Sequence, residues 1–336
     1  MKKFFAILFA VVASLACAMT AAGCNKDSGK LKVFVPDGAP ALAVAGINDT
    51  EAGGYFDVSV VDAGNITAYV SGNMEADIAV MPVNAAVKLL GSGEKYKMIG
   101  TVTHGNLYLM KKEGGQDISA TADLKSLVGK TVGVINLTNV PGLTFKVILN
   151  DNQLEFNELK DGASAQADKV NLLNVAPQDV VPANADCDYF IVPEPVATTK
   201  ANATGGKLSF AGDLQALYGG DRGYPQAVAV AKNTVIENHL DAVNAFVTSF
   251  GHTENWIASE NTSSQDILGA IDKMTKGDLS HMFTADNLTK TVIAHCGIRF
   301  EMNETGNKAE VLLFMQKLNA ISNNAWGTPD YENFFY

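Results

Sequence analysis

Apolar and polar positions follow a regular rhythm along the chain from Leu31 onward. Short apolar runs rich in β-branched residues end at Gly, Pro, Asn or Asp, and a stretch with helical spacing follows most of them. Strand–loop–helix units of this length predict parallel sheets with helices on both faces, so we expect an α/β protein. The predicted strands are 31–35, 56–61, 76–80, 97–102, 131–135, 170–173, 189–192 and 226–230, and the rhythm restarts at 106–110.

The pattern changes beyond Asn233, where only helical spacing continues, over 239–259, 264–274, 285–294 and 307–321. Two segments, near 104–107 and near 203–223, are suited to carry the chain between two lobes. We therefore predict a discontinuous lobe I, residues 31–105 plus 205–336, which the C-terminal helices complete. Residues 106–204 are predicted to form lobe II.

The N-terminal segment has the pattern of an export signal. Two lysines precede an apolar run from 4 to 22, which ends in small residues before the polar stretch 25–30. A transmembrane anchor is the alternative, although the run is at the short end of what spans a bilayer. We favour a lipoprotein signal peptide over residues 1–23.

The residues around Cys24 carry a second signal. Ala21-Ala22-Gly23-Cys24 resembles a bacterial lipobox, in which the cysteine is acylated and becomes the first residue of the mature chain. Cys17 is another candidate, but it lies inside the apolar run with no polar residues after it. We predict lipidation of Cys24, a tether over 24–30, and an extracytoplasmic protein that its lipid holds on the cell membrane.

The composition limits the partners of the protein. The formal net charge is −11, and it is two units more negative without the predicted signal peptide, which argues against a nucleic-acid partner. Only Cys187 and Cys296 follow Cys24, and no paired-cysteine or histidine-spaced motif predicts a metal or another cofactor. These two cysteines either form one disulfide or remain two buried thiols.

Ligands of open parallel sheets bind beyond the carboxyl ends of the strands, where helix N-termini point outward. Loops at these predicted ends carry Pro, Gly, Asn or Thr directly before a helix. Such residues are also the ordinary caps and turn residues of any α/β protein. Their recurrence makes a shared binding role an equal alternative. The loops are 37–40, 64–67, 81–84, 136–142 and 192–195.

Motifs of catalysis are missing from the sequence, which has no nucleophile elbow, phosphate loop or H-E-x-x-H motif. We therefore expect no enzyme. His104 lies between the predicted lobes, where it either contacts a ligand or is an ordinary core or solvated histidine. The remaining histidines belong to the helical part and are expected to be structural; they are His239, His252, His281 and His295.

Several spaced motifs together resemble one known family. They are the lipobox, VPDGAPA over 35–41, ADIAVMPVNAA over 76–86, LVGKTVGV over 127–134 and DYFIVPEP over 188–195. These motifs resemble the type II periplasmic-binding fold of the sulfonate, taurine, nitrate and thiamine-precursor binding proteins. The resemblance spans about residues 31–230 and implies two lobes, joined by hinge strands, that close over a small solute and present it to an ABC-importer permease.

Carried onto this chain, the resemblance implies a set of ligand-binding residues. They are Asp37, Gly38, Ala39, Gly64, Asn65, Pro82, Asn84, His104, Asn136, Thr138, Asn139, Glu194, Tyr224 and Gln226. These loops contain no lysine or arginine, and Arg222 is the exception close to Tyr224 and Gln226. Because a buried anion beside unpaired carboxylates would be costly, Asp37 and Glu194 favour a neutral, N–H-rich solute such as an aminopyrimidine over a sulfonate.

Two other functions remain open. Thiamine-pyrimidine synthases and some menaquinone-pathway enzymes resemble this architecture, but the lipobox places the chain outside the cytoplasm, away from their substrates. A surface lipoprotein with an adhesive or sensory role is the other alternative. A closable cleft that holds a solute would distinguish capture of a solute from adhesion.

Overall fold

A computed structural model describes residues 29–336 except 74, 161–162, 221, 304 and 328–330. The predicted signal peptide, Cys24 and most of the predicted tether lie outside these residues. Across the described ranges, none of the helices has the length and apolar character needed to cross a membrane.

The strands occur in the order that the rhythm of the sequence predicts. In chain order they are β1 (Leu31–Pro36), β2 (Phe56–Val61), β3 (Ile78–Pro82), β4 (Tyr96–Thr103), β5 (Leu107–Lys112), β6 (Thr131–Ile135), β7 (Phe156–Leu159), β8 (Val170–Val175), β9 (Tyr189–Pro193), β10 (Leu208–Asp213), β11 (Ala227–Lys232) and β12 (Ile298–Met302). Each predicted strand overlaps one of them, and 106–110 overlaps β5. The strands β7, β10 and β12 were not predicted, because their residues are mostly half-buried and lack a continuous apolar run.

The helices cover the faces of the sheets. In chain order they are α1 (Ala39–Ala43), α2 (Ala52–Tyr55), α3 (Val83–Leu90), α4 (Val140–Asp151), α5 (Val196–Ala203), α6 (Leu214–Tyr218), α7 (Asn233–Asn238), α8 (Leu240–Ala258), α9 (Ser264–Met274), α10 (Lys290–His295), α11 (Thr305–Ile321) and α12 (Tyr331–Phe334), with a 3₁₀ helix over Ala63–Tyr69. The four helical stretches predicted beyond Asn233 correspond to α8, α9, α10 and α11.

The first sheet has the strand order β12-β4-β11-β3-β1-β2. Strands β1, β2 and β3 are parallel, and β11 runs antiparallel between β3 and β4. The β3 sequence IAVMP is almost entirely buried, as expected for a strand whose two faces are both covered. The return strand predicted at 226–230 is therefore confirmed as β11.

The second sheet has the strand order β10-β5-β9-β6-β8-β7. Strands β6, β7, β8 and β9 run parallel, while β5 is antiparallel to both β9 and β10. The two sheets define two lobes, and the α/β prediction is confirmed. The predicted start of lobe I at residue 205 is wrong, because β10 pairs with β5 in the second sheet. The chain returns to the first sheet only after α6, over residues 219–226.

The two crossings, 104–106 and 219–226, hydrogen-bond to each other. The amide Nε2 of Gln226 donates to Asn106 Oδ1 at 2.7 Å, and the Gln226 N–H donates to the Thr103 carbonyl at 2.9 Å. Gly105 has φ +61°, and a Cβ there would lie 2.7 Å from the ring of Tyr224. These contacts join the carboxyl edge of the first sheet to that of the second.

Three apolar clusters fill the molecule. One lies on the side of α3, α4 and α11 and contains residues of both lobes; a second lies under α1, α8, α9 and α10; the third lies within lobe II near α5. Cys187 belongs to the third cluster and Cys296 to the second, and both are free thiols. Of the two alternatives left open by the sequence, the structure therefore has buried thiols.

Candidate functional site

The predicted ligand-binding loops lie at the carboxyl edges of the two sheets, as the sequence predicts for such loops. Residues 37–39 follow β1, residues 64 and 65 follow β2, and Pro82 and Asn84 lie at the start of α3. In lobe II, residues 136–139 join β6 to α4, and Glu194 follows β9.

A cavity of about 320 Å³ between the lobes brings part of this set together. Asn84 and Lys88 of α3 line it on the lobe I side, and Thr138 and Asn139 line it on the lobe II side. Trp326, which follows α11, closes one wall. We call this space the interlobe cavity. Its lining includes Asn84, Thr138 and Asn139, but not Asp37, Gly38, Ala39, Gly64, Asn65, Pro82, Asn136 or Glu194.

Two helices from different lobes begin at the interlobe cavity. The N-cap residues are Pro82 for α3 and Asn139 for α4, and neither makes a side-chain capping hydrogen bond. The first N–H groups of a helix have no partner within the helix, and they carry a partial positive charge. Of these groups, the Val83 N–H of α3 already donates to the Gln226 carbonyl at 3.0 Å, and Pro141 of α4 has no N–H. The other N–H groups of the two first turns give the cavity backbone donors from both lobes, an arrangement that suits an anion.

The turn from β6 into α4 depends on one glycine. A Cβ on Gly142 would lie 1.9 Å from the carbonyl oxygen of Leu137, so a larger residue forces the turn apart. Pro141 occupies the first turn of the helix, where a proline costs no hydrogen bond. This tight turn fixes Thr138 and Asn139 at the wall of the cavity.

Lys88 is a site residue that the sequence analysis missed. It lines the interlobe cavity with an exposed side chain, and it lies four residues after Asn84, on the same face of α3. That spacing is the signal that could have found it, because the predicted loop alone contains no lysine.

The expectation that Asp37 and Glu194 are unpaired is wrong. Asp37 accepts hydrogen bonds from His281 Nδ1 and from the Met282 N–H, both at 2.7 Å. Glu194 accepts from Thr198 Oγ1 at 2.7 Å, from the Thr198 N–H at 3.1 Å, and from His295 Nδ1 at 2.9 Å. Both carboxylates therefore already have donors within the protein, and two histidines expected to be merely structural supply them.

His295 connects the lobes beside Glu194. It is the last residue of α10 in lobe I, yet its ring lies 5.0 Å from the ring of Tyr108 and 5.9 Å from that of Phe210, both in lobe II. Tyr108 Oη also donates to the His295 carbonyl at 3.3 Å. His295 and Thr198 together supply the hydrogen-bond donors of the fully buried Glu194 carboxylate.

The other predicted residues lie at the crossings. His104 is buried, and burial together with the positive charges of Arg299 and Arg222 lowers its pKa to about 3, so the ring is neutral at ordinary pH. Tyr224 is also buried, and burial raises its pKa well above the usual value. Neither residue lines the interlobe cavity, and Gln226 bonds Asn106 instead.

Metal binding has no support from side-chain clusters. Among the described residues, no three His, Cys, Asp or Glu side chains are grouped closely enough to hold a metal ion.

No protein-family model and no curated protein sequence matches the chain. Solved structures do match it along nearly the whole length. An ABC transporter from Parabacteroides distasonis is 19% identical with a TM-score of 0.68, over 92% of this chain and 99% of that one. The aliphatic sulphonate binding protein SsuA from Escherichia coli is 14% identical with a TM-score of 0.64, over 92% of each chain.

A third match is the ligand-binding component of an ABC-type import system from Staphylococcus aureus, determined with zinc bound. It is 12% identical with a TM-score of 0.59, over 92% of this chain and 97% of that one. These likenesses confirm the predicted fold: the chain has the two-lobed fold of the solute-binding proteins of ABC importers.

Proposed function

We propose that the protein captures a small solute outside the cytoplasm and delivers it to the permease of an ABC importer. The observation that carries this proposal is the interlobe cavity, where the first turns of α3 and α4 come from different lobes. A solute held by both helices contacts both lobes at once, so binding favours the closed arrangement over open ones. The ABC-transport proteins among the matched structures support the same role.

The cavity favours a solute with an anionic or acceptor-rich group. Its charged lining residue is Lys88, and its other polar groups include the side-chain amides of Asn84 and Asn139. The argument for an aminopyrimidine depended on unpaired carboxylates, and His281 and His295 remove that premise. The solute class therefore shifts toward small oxyanions such as sulfonates, which is the class that the name of the matched Escherichia coli protein gives.

The anchor of the protein is proposed from the sequence. The lipobox around Cys24 supports a lipidated N-terminus that holds lobe I near the membrane, where the permease lies. Labelling with a radioactive fatty acid tests this step. Incorporation into the wild-type protein and its loss in Cys24→Ala supports the anchor, and unchanged labelling of Cys24→Ala contradicts it.

A thermal-shift screen of residues 25–336 tests capture of a solute. The panel contains aliphatic sulfonates, taurine, nitrate, short carboxylates and thiamine pyrimidines. A ligand at about a hundred times its Kd adds about 2.7 kcal/mol to the free energy of unfolding, which raises Tm by several degrees. Stabilisation by an oxyanion that Lys88→Ala abolishes supports the proposal. Stabilisation by the pyrimidines alone restores the earlier solute class, and a panel without effect favours the adhesive or sensory role.

A further inference from the structure

A second cavity, of about 450 Å³, lies where the two crossings meet the lobes. Lobe I contributes Glu254 of α8 and Arg299 of β12, lobe II contributes Asp213 at the end of β10, and the crossings contribute His104 and Arg222. We call this space the crossing cavity. Its volume is in the range of small-molecule sites, and its lining shares no residue with that of the interlobe cavity.

Four charged side chains among the described residues line the crossing cavity, two of each sign. Arg222 and Arg299 are the two arginines of the whole chain, and both line this space. Asp213 and Glu254 supply two negative charges. His104 adds none at ordinary pH, because burial and the two guanidinium groups lower its pKa to about 3.

Both acids of the crossing cavity accept few hydrogen bonds. Glu254 Oε1 accepts from the Phe300 N–H at 2.6 Å, and Asp213 Oδ1 accepts from the Gln215 N–H at 2.8 Å. Burial raises the pKa of each carboxyl group. Each carboxylate is thus partly desolvated, and an ammonium group would stabilise it.

The arginines are held in place on one side. Their Nε atoms lie 3.2 Å (Arg222) and 2.8 Å (Arg299) from the carboxylate of Glu301, which is close enough for ion pairs although neither is aligned for a hydrogen bond. Arg222 Nη1 also donates to Glu310 Oε2 at 3.4 Å, so two carboxylates outside the lining already pair with the arginines. A guanidinium has five N–H donors, so each keeps donors for a further carboxylate.

Two buried polar atoms lie beside the crossing cavity without a hydrogen-bond partner. His104 Nδ1 and Gln215 Nε2 have no hydrogen-bond partner among the described residues, and both side chains line the crossing cavity. Both atoms have almost no accessible surface, so neither faces the open space of the cavity.

We propose that the crossing cavity is a second binding site, for a small zwitterion that carries a carboxylate and an ammonium group on a short aliphatic frame. Arg222 and Arg299 bind the carboxylate, and Glu254 and Asp213 bind the ammonium group. Side chains of Ile257, Ile293 and Ile298 line the same space and accommodate the frame. A zwitterion brings one group of opposite charge to each of the two kinds of charge in the lining.

The position of this site gives it a consequence for the lobes. Because residues of both lobes and both crossings line it, a bound zwitterion favours the relative arrangement of the lobes that the structure has. The site therefore acts on the affinity of the interlobe cavity, and a solute there acts back on it by the same factor.

Isothermal titration of residues 25–336 with three matched probes tests the proposal. L-leucine carries both charges, 4-methylpentanoate lacks the amine, and 3-methylbutylamine lacks the carboxylate. We expect L-leucine to bind and each half-probe to bind about tenfold more weakly or worse, since each loses charge-assisted hydrogen bonds.

Isosteric variants locate the site. Glu254→Gln and Asp213→Asn keep an oxygen for the Phe300 and Gln215 N–H groups, so the fold is retained, and we expect each to weaken L-leucine binding about tenfold. Asp241→Asn, an exposed acid on the same helix as Glu254, is the matched control and should bind normally. No binding of L-leucine to the wild type overturns the proposal, as does binding that Lys88→Ala abolishes and Glu254→Gln leaves intact. The oxyanion screen is read independently, so either site can fail alone.

Discussion

His295 Nδ1 lies 2.9 Å from Glu194 Oε1, and this hydrogen bond joins lobe I to lobe II. The Glu194 side chain is fully buried, whereas that of His295 is one-third exposed. A histidine at the tip of α10 thus supplies a donor to a carboxylate that lies at the carboxyl edge of the other lobe.

We expect His295→Ala to destabilise the protein and to loosen the contact between the lobes. Glu194 Oε1 keeps its hydrogen bond from Thr198 but loses the one from His295, and a hydrogen bond to a charged group contributes about 1.5–3 kcal/mol to the free energy of unfolding. Urea denaturation measures this cost, and small-angle scattering measures the radius of gyration, which should increase. His252→Ala, an exposed histidine on α8, is the control. An unchanged radius of gyration for His295→Ala would contradict the idea that this hydrogen bond holds the lobes together.

Lys88→Ala should weaken binding of the oxyanion identified by thermal shift by about tenfold or more, because a charge-assisted hydrogen bond contributes about 1.5–3 kcal/mol. Titration calorimetry gives the Kd. Lys95→Ala removes an exposed lysine of the same lobe that does not line the interlobe cavity, and should bind as the wild type does. Equal affinities for both variants would remove Lys88 from the site.

The turn into α4 gives a matched pair of glycine variants. Gly142→Ala places a Cβ against the Leu137 carbonyl, so we expect a loss of about 1–3 kcal/mol in stability together with weaker solute binding. Gly251→Ala lies within α8 with open space around the new Cβ and should gain about 0.5–1 kcal/mol. Thermal unfolding and calorimetry compare the two. Normal binding by Gly142→Ala would show that the turn does not fix Thr138 and Asn139.

The lowered pKa of His104 should make the protein less stable in acid. The folded pKa is about 3, below the usual value of about 6.5 for an unfolded chain. Above pH 6.5 both states are neutral and the group has no effect on the free energy of unfolding. As the pH falls from 6.5 toward 3, His104 is protonated in the unfolded chain but stays neutral in the folded protein. Stability therefore falls, by up to about 1.4 kcal/mol per pH unit.

The variant His104→Gln should lack this acid dependence. Urea midpoints at pH 7 and pH 4.5 are compared for the wild type, for His104→Gln and for His239→Gln, an exposed histidine that serves as the control. We expect His104→Gln alone to lose less stability between the two pH values. Parallel losses in all three proteins would mean that other groups govern the acid response.

Local patterns predicted most of the fold. Continuous apolar runs such as the one in β3 identify strands covered on both faces, and they identified the return strand β11 as well. The half-buried strand β10 has no such run, so the sequence analysis assigned it to the wrong lobe. Edge strands are covered on fewer sides, and their patterns are correspondingly weaker.

The site was predicted only in part, for a different reason. Asn84, Thr138 and Asn139 lie at the starts of helices that the sequence predicts, and Lys88 follows from the helical spacing after Asn84. The partners of the carboxylates do not follow from any local pattern. His281 is 244 residues from Asp37 and His295 is 101 residues from Glu194, so only the packing of the whole chain brings them together.

The direction of β1 has a consequence for how an anchored protein reaches its permease. The chain enters lobe I at Leu31, at the amino edge of the first sheet, and β1 carries it to the carboxyl edge at Pro36. A lipid on Cys24 would therefore pull on the edge opposite the cavities. The seven residues of the predicted tether span at most about 25 Å when fully extended. If Cys24 is lipidated and the protein delivers a solute as proposed, lobe I has to rotate on this tether to turn the cavities toward the membrane. Shortening the tether should then impair delivery and leave capture intact.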